Sequence, residues 1–268
     1  MLNNNKNTMV KNINFYCFTG TGNTLLIVNK MVETFQRHGV NVTVNKMEDT
    51  EPLSINTSGV IGLAFPVAYQ STFPFVWDFI NRLPEVNGTK IFMVDTLAGF
   101  SGAIVGPLKK TLLKKGYEPI GAKEIIMPRN IFCIPPEKSA ERIVKKGIKE
   151  AEKYGEAIIY GSSRWRRLPV VSDIAFLFYK MYCLMIFSGW NQRIFGFKVD
   201  TKKCMQCGLC AKLCPVENIQ MKPFPIFADK CNFCMRCVSW CPEQAISCKF
   251  NYKGRTYRAD TVNSKELL

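Results

Sequence analysis

Eight cysteines near the C-terminal end of the chain fall into two copies of one pattern, and no other feature constrains the fold as tightly. Cys204-x2-Cys207-x2-Cys210-x3-Cys214-Pro215 is followed 27 residues later by Cys231-x2-Cys234-x2-Cys237-x3-Cys241-Pro242, with Ile219 and Ile246 at matching offsets. Three thiolates spaced by two residues wrap one corner set of an iron–sulfur cubane. The fourth, displaced by a turn and a proline, points to the neighbouring cluster. The spacing therefore predicts one 4Fe-4S cluster on Cys204, Cys207, Cys210 and Cys241, and a second on Cys231, Cys234, Cys237 and Cys214. Zinc knuckles would need only paired Cys-x2-Cys ligands and would leave the third and fourth cysteines of each run unexplained. Cys17, Cys133, Cys183 and Cys248 lie outside both runs and read as buried, inert thiols.

A disulfide scaffold would require export, and Met1 to Val10 shows neither an apolar core nor a small-residue cleavage site. The chain is accordingly read as cytoplasmic and reduced. Its 268 residues, 47% hydrophobic and 21% charged, are globular in composition and long enough for one large domain or two smaller ones. Thirty-six Lys and Arg against 21 Asp and Glu give a formal charge of +15. Nucleic-acid binding would interleave basic residues with stacking aromatics, and Arg164-Trp165-Arg166-Arg167 is the only short candidate, so no nucleic-acid partner is expected.

From Lys11 to Pro135, short β-branched and aromatic runs alternate with helical stretches. Strands are expected at Asn14–Cys17, Asn41–Val44, Val60–Phe65, Ile91–Asp95 and Ile120–Met127. Helices should run through Leu26, Val28 and Met31 to His38, through Phe75–Ile80, and from Ala103 to Lys115. This is the α/β class, a doubly wound parallel five-stranded sheet. Pro136–Gly161 reads as an amphipathic helix with Ile143, Ile148, Ala151 and Ile158 inward. Leu168–Trp190 is long and apolar, but Asp173 and Lys180 each cost about 3 kcal/mol near a bilayer centre, so no transmembrane span is expected. A helix buried between domains is the first reading of that segment, and a partner or membrane-surface contact is the second. The domains are read as 1–135 (α/β), 136–195 (helical connector) and 196–268 (a small α+β unit with a C-terminal tail).

At the end of the first strand stands Thr19-Gly20-Thr21-Gly22-Asn23-Thr24. Its glycines let the backbone fold tightly, while amides, hydroxyls and the N-terminus of the next helix supply donors for a phosphate. No Gly-Lys-Ser/Thr follows, and position 25 is Leu, so neither a Walker loop nor a nicotinamide fingerprint is present. Two further loops leave the same carboxyl edge: Phe65-Pro66-Val67-Ala68-Tyr69 after strand three, and Thr96-Leu97-Ala98-Gly99-Phe100-Ser101-Gly102 after strand four. Together these residues, over Lys11 to Pro128, resemble flavodoxin. The resemblance implies FMN, with its phosphate on Thr19–Thr24 and its ring between the other two loops. Ordinary packing competes at Phe65, Tyr69 and Phe100, so the stacking ring is left open.

Phe197–Phe250 resembles bacterial-type two-cluster ferredoxins, and the whole chain resembles the flavodoxin/ferredoxin fusion proteins of anaerobes. The expected function is electron transfer between two 4Fe-4S clusters and FMN, within the chain and to other proteins, as a redox carrier. The alternative is a flavin-dependent reductase of a quinone or nitro compound fed by the clusters. No second nucleotide-binding domain is present to supply NAD(P)H. Free ferredoxins and flavodoxins are usually acidic, so a cationic chain suits them as partners. Residues 164–190 are the expected surface or complex-docking segment, with Arg164, Arg166 and Arg167 facing the acidic partner.

Overall fold

The protein is described here by a computed structural model covering residues 10–165, 171–186, 194–250 and 256–267. Near-continuous apolar runs form strands that are covered on both faces, as a parallel sheet requires. The strands are β1 (Asn12–Cys17), β2 (Asn41–Lys46), β3 (Val60–Pro66), β4 (Lys90–Leu97) and β5 (Glu118–Ile126), all parallel in the order β2-β1-β3-β4-β5. Alternation divides the core. Ile13, Phe15 and Cys17 join one apolar cluster with helices α1 (Asn23–Arg37) and α4 (Glu137–Ile159), whereas Tyr16 and Phe18 join the other with α2 (Pro74–Asn81) and α3 (Val105–Lys114). The expected sheet and its class are therefore present, with each strand within a few residues of its expected bounds.

The segment read as a connector behaves otherwise. Helix α4 lies against α1, with Gly155 facing Thr34 and Phe35, and the Tyr154 hydroxyl donates to the Met93 carbonyl at 2.9 Å, so this helix completes the α/β layer. Its buried face is Gly147, Ala151, Tyr154, Gly155, Ile158 and Ile159, so Ala151 and Ile158 point inward as expected, whereas Ile143 and Ile148 are only half-buried. Close helix approach rewards small residues, which a count of apolar side chains does not weigh.

Leu168–Trp190 also departs from its first reading. Helix α5 (Val171–Ile186) is present, while residues 168–170 and 187–190 lie outside the described ones. Its inner side packs on the α/β unit: Tyr179 donates to the Thr72 carbonyl at 2.7 Å, and the Phe176 ring lies 4.8 Å from Trp77. The opposite side, with Ile174, Leu177, Phe178, Met181 and Leu184, is exposed. A helix apolar all round is enclosed only where two surfaces meet it, and α5 meets one. Among the described residues no helix is long and apolar enough to cross a membrane.

The C-terminal unit is small. Strand β6 (Lys198–Val199) pairs antiparallel with β9 (Ile246–Ser247), β7 (Ile219–Lys222) pairs with β8 (Phe224–Phe227), and two single-turn helices, α6 (Leu209–Lys212) and α7 (Arg236–Ser239), carry cysteines. The 27-residue repeat recurs in the backbone. Left-handed residues fall at Gln206 and Phe233, at Gly208 and Met235, and at Glu217 and Gln244.

Candidate functional site

The four thiols of each expected set converge across the two runs. Cys204, Cys207 and Cys210 line one small cavity together with Cys241, while Cys231, Cys234 and Cys237 line another together with Cys214. Backbone amides donate to three of the sulfurs: Asn218 to Cys214 at 3.2 Å and Ala245 to Cys241 at 3.3 Å, at equivalent places of the repeat, and Phe233 to Cys231 at 3.3 Å. Such N–H···S bonds stabilise negative charge on a cluster and tune its potential. Burial, with neighbouring thiols adding to it, pushes Cys231 up to about 12, and burial pushes Cys210 up to about 11. Burial also pushes Cys234 up to about 11, with the Arg236 cation pulling it partly back. Thiols so disposed hold their protons at neutral pH unless metal displaces them, and soft thiolate sets suit iron–sulfur clusters. Among the described residues no trio of His, Cys, Asp or Glu converges on one ion. Thiolates around a single tetrahedral ion would each lie about 2.3 Å from it. Of the other cysteines, Cys17 and Cys248 are buried as expected, Cys183 is half-buried, and Cys133 is exposed, contrary to the reading of all four as buried.

The loop Thr19–Thr24 leaves β1 and enters α1 through Gly22, whose φ of 97° is left-handed. Its carbonyls are taken up on one side. Arg236 Nε donates to Thr19 O at 2.8 Å, Trp240 Nε1 to Gly20 O at 2.9 Å, and the Ala259 amide to Thr21 O at 2.9 Å. The first-turn amides of α1 have no intrahelical acceptor, and the helix dipole adds to their pull on an anion. The hydroxyls are ordered as well: Thr24 and Thr96 lie 2.8 Å apart at Oγ1, and Thr19 Oγ1 accepts from the Gly22 amide at 3.1 Å.

These elements open onto a cavity of about 420 Å³ at the carboxyl edge of the sheet, within the usual size range of small-molecule sites. Thr19, Gly20, Thr21, Asn23, Thr24, Pro66, Val67, Ala68, Tyr69, Thr96, Leu97 and Ala98 line it. Gly22, Phe65, Gly99, Phe100, Ser101 and Gly102 do not. Phe65 is enclosed in the core, Phe100 is 71% exposed, and Ser101 donates to Glu124 instead. Tyr69 sits at the tip of a two-residue turn closed by reciprocal Ala68–Ser71 bonds of 3.1 and 2.9 Å, with φ of 55° at Tyr69 and 66° at Gln70. Two consecutive non-glycine residues in the left-handed region store strain that functional loops commonly carry. The polar loop at one end and the aromatic walls at the other fit the phosphate and the tricyclic ring of FMN.

Half of this lining is contributed by residues the sequence reading did not single out. The loop after β5 supplies Met127 to Phe132, with Arg129 and Asn130 among them; Asn130 donates to Thr21 Oγ1 at 3.3 Å. A signal for it existed, since this loop leaves the same sheet edge. Tyr182 of α5 and Phe195, Phe233 and Phe250 of the C-terminal unit close the far side, and long-range contacts of that kind have no local signature. Cys234 and Met235 line both this cavity and the one holding Cys214, Cys231 and Cys237. The contact there is close: a Cβ on Gly20 would fall on the Cys234 carbonyl. Arg164 lines a different, shallow surface beside Lys123 and Tyr154, and Arg166 and Arg167 lie outside the described residues.

A model of the 4Fe-4S dicluster domain matches residues 197–242. Among solved structures, the chain is similar to a flavodoxin from Megasphaera elsdenii, at 22% identity and a TM-score of 0.38, over 53% of this chain and 98% of that one. It is also similar to a flavodoxin from the domain Archaea, at 15% identity and 0.38, over 53% and 97%. A third similarity is to a putative quinone reductase from Klebsiella pneumoniae, at 9% and 0.39, over 55% and 85%. No curated protein matches. The strand order β2-β1-β3-β4-β5 is that of the flavodoxin-like fold, and it is joined here to a 4Fe-4S domain. The chain thus joins a unit of flavodoxin-like strand order to a 4Fe-4S domain, which supports an iron–sulfur cofactor and a redox role.

Proposed function

We propose that the protein passes electrons between two 4Fe-4S clusters and FMN, and exchanges them with an acidic carrier protein. The observation that carries this reading is the shared wall: Cys234 and Met235 face the flavin cavity and the second cluster cavity at once. When bound, the clusters exchange single electrons and FMN one or two. Thr19, Gly20, Thr21, Asn23 and Thr24 would hold the phosphate, Tyr69 and the loop Met127–Phe132 would enclose the ring and exclude water, and the N–H···S bonds would steady the cluster sulfurs. The other cavity lies at the far end of the relay, beside exposed Cys207 and Met205, which is 61% exposed. Lys202, Lys203 and Lys212, adjacent in sequence to its cysteines, are exposed, and exposed Glu243 lines it; the excess of cations there suits an acidic carrier better than Arg164 does. A reducing cytoplasmic setting suits 12 free cysteines.

Anaerobically purified protein should carry about eight irons and one FMN per chain. On rapid mixing with reduced ferredoxin, cluster absorbance should change before flavin absorbance, and increasing ionic strength should slow the first phase. Iron near four, release of FAD, or flavin reduction that precedes the clusters would overturn the proposal. The second reading, reduction of a quinone or nitro compound, draws support from the aromatic far side of the cavity. Steady turnover of such an acceptor with reduced ferredoxin would establish it.

A further inference from the structure

We propose that Arg129 is the counter-charge for the flavin phosphate, so that the site selects the phosphorylated flavin over its dephosphorylated form. The end of β5 delivers the loop that carries it. The Met127 amide still donates to the Leu97 carbonyl at 2.8 Å, but Pro128 has no amide with which to continue the ladder, and the chain leaves the sheet edge there. The residues on either side of Arg129 are then tied to the phosphate loop. Asn23 donates to the Pro128 carbonyl at 3.1 Å, and Asn130 donates to Thr21 Oγ1 at 3.3 Å. Further along, the Phe132 amide donates to the Phe250 carbonyl at 3.1 Å, which fixes the other end of the loop. The backbone of Arg129 is thereby held beside Thr21 and Asn23, at the polar end of the cavity.

Charge balance gives this placement its meaning. Among the described residues that line the 420 Å³ cavity, Arg129 alone carries a charge. A phosphate monoester brings roughly −1.5 to −2 at neutral pH, whereas the N-terminus of α1 offers only about +0.5. Thr19–Thr24 contains neither Lys nor Arg, so its hydroxyls and amides are neutral donors. About one negative charge or more is left for a cation to answer. Arg129 is exposed and has no ion-pair or hydrogen-bond partner at its side chain among the described residues. Its planar fork of donors is therefore free for phosphate oxygens, which arginine binds through two parallel bonds.

The inference rests on the flavin reading, and comparing two flavins separates their failures. The full chain, with its clusters in place and its flavin washed out, is titrated anaerobically with FMN and with riboflavin, and quenching of flavin fluorescence gives each Kd. The wild type should bind FMN more tightly than riboflavin, and its FMN affinity should fall as ionic strength rises. Arg129→Gln should lose about tenfold in FMN affinity, keep its riboflavin affinity within about twofold, and show a flatter salt dependence. Arg129→Lys, which keeps the charge without the fork, should recover part of the loss. Riboflavin binding by the variants also reports that the site is still folded. FMN affinity unchanged in Arg129→Gln would overturn the assignment and leave the flavin site standing. Equal losses for FMN and riboflavin would do the same, since Arg129 would then act on the ring. A wild type that binds neither flavin would overturn the flavin reading, and this inference with it.

Discussion

Removing the guanidinium of Arg236 should loosen the two halves of the protein from each other. Arg236 is 3% exposed at its side chain and forms an ion pair at 2.5 Å with Glu48, itself 7% exposed at its side chain and just beyond β2. It also donates to Thr19 O at 2.8 Å and Leu213 O at 3.3 Å, and lies 4.6 Å above the Phe18 ring. Arg236→Met leaves Glu48 charged, buried and unpaired, and breaking a buried pair from one side costs about 3–5 kcal/mol. Glu48→Gln is milder, because Arg236 keeps two carbonyl acceptors and an aromatic face. In the double variant Arg236→Met, Glu48→Met no charge is stranded, and most of that roughly 3–5 kcal/mol should return relative to Arg236→Met. Anaerobic urea unfolding, followed by cofactor absorbance and far-ultraviolet circular dichroism, reads both quantities. The single variant should also separate loss of cluster absorbance from loss of the α/β signal, since the pair spans the contact. A cost under about 1 kcal/mol for Arg236→Met, or a double variant as weak as the sum of its parts, would refute the reasoning.

The other perturbations address ligation, fit and protonation. Cys214→Ala should abolish the paramagnetic signal of the cluster held by Cys231, Cys234 and Cys237 and leave the other intact; loss of the Cys204 cluster instead would show that ligation is not crossed. Gly20→Ala places a methyl on the Cys234 carbonyl and should weaken FMN retention by roughly tenfold, an overpacking cost of about 1–3 kcal/mol. Flavin fluorescence on dilution measures this, and unchanged retention would show that the loop has room. Burial, reinforced by Glu124, raises the Asp95 carboxyl well above its ordinary value, so the folded state binds that proton more tightly than the unfolded one. Its contribution is complete below the unfolded pKa and is lost as pH rises through the folded one. Asp95→Asn should therefore gain thermal stability over the wild type increasingly as pH rises above the ordinary carboxylate range, and a pH-independent difference would contradict the assignment.

What the sequence disclosed follows the strictness of each constraint. A cubane needs thiolates at set intervals, so the eight cysteines stand out in the sequence, and the cavities group Cys241 with the first run and Cys214 with the second, as the proposed crossed ligation requires. Strands buried on both faces advertise themselves as apolar runs. Loops are less legible, because an aromatic residue reads alike whether it packs, stacks or points outwards. Phe65, Tyr69 and Phe100 carried equal standing in the sequence, and the structure places them in the core, at a cavity wall and on the surface. The turn that aims Tyr69 lacks the glycine or asparagine by which such turns announce themselves. Arg236 was hidden in plain view between Cys234 and Cys237, since nothing local indicates that Glu48 and Thr19 lie opposite.

The loop Thr19–Thr24 explains why the two halves are joined closely and not merely tethered. A phosphate loop must direct its amides at the ligand, which obliges its carbonyls to find donors on the reverse side. Here those donors come from beyond the α/β unit: Arg236 and Trp240 from the cluster domain and Ala259 from the tail serve three consecutive carbonyls. Tyr257 of the same tail donates to Asn23 Oδ1 at 2.8 Å, and Asn23 in turn donates to the Pro128 carbonyl at 3.1 Å. The segment that forms the floor of the proposed flavin site is therefore held from behind by the segment that carries the second cysteine run. Fusion raises the effective concentration of one redox centre near the other, but a flexible linker would do that alone. Shared hydrogen bonding does more, because it makes the orientation of one cofactor site depend on the integrity of the other and sets their separation by packing, not by diffusion.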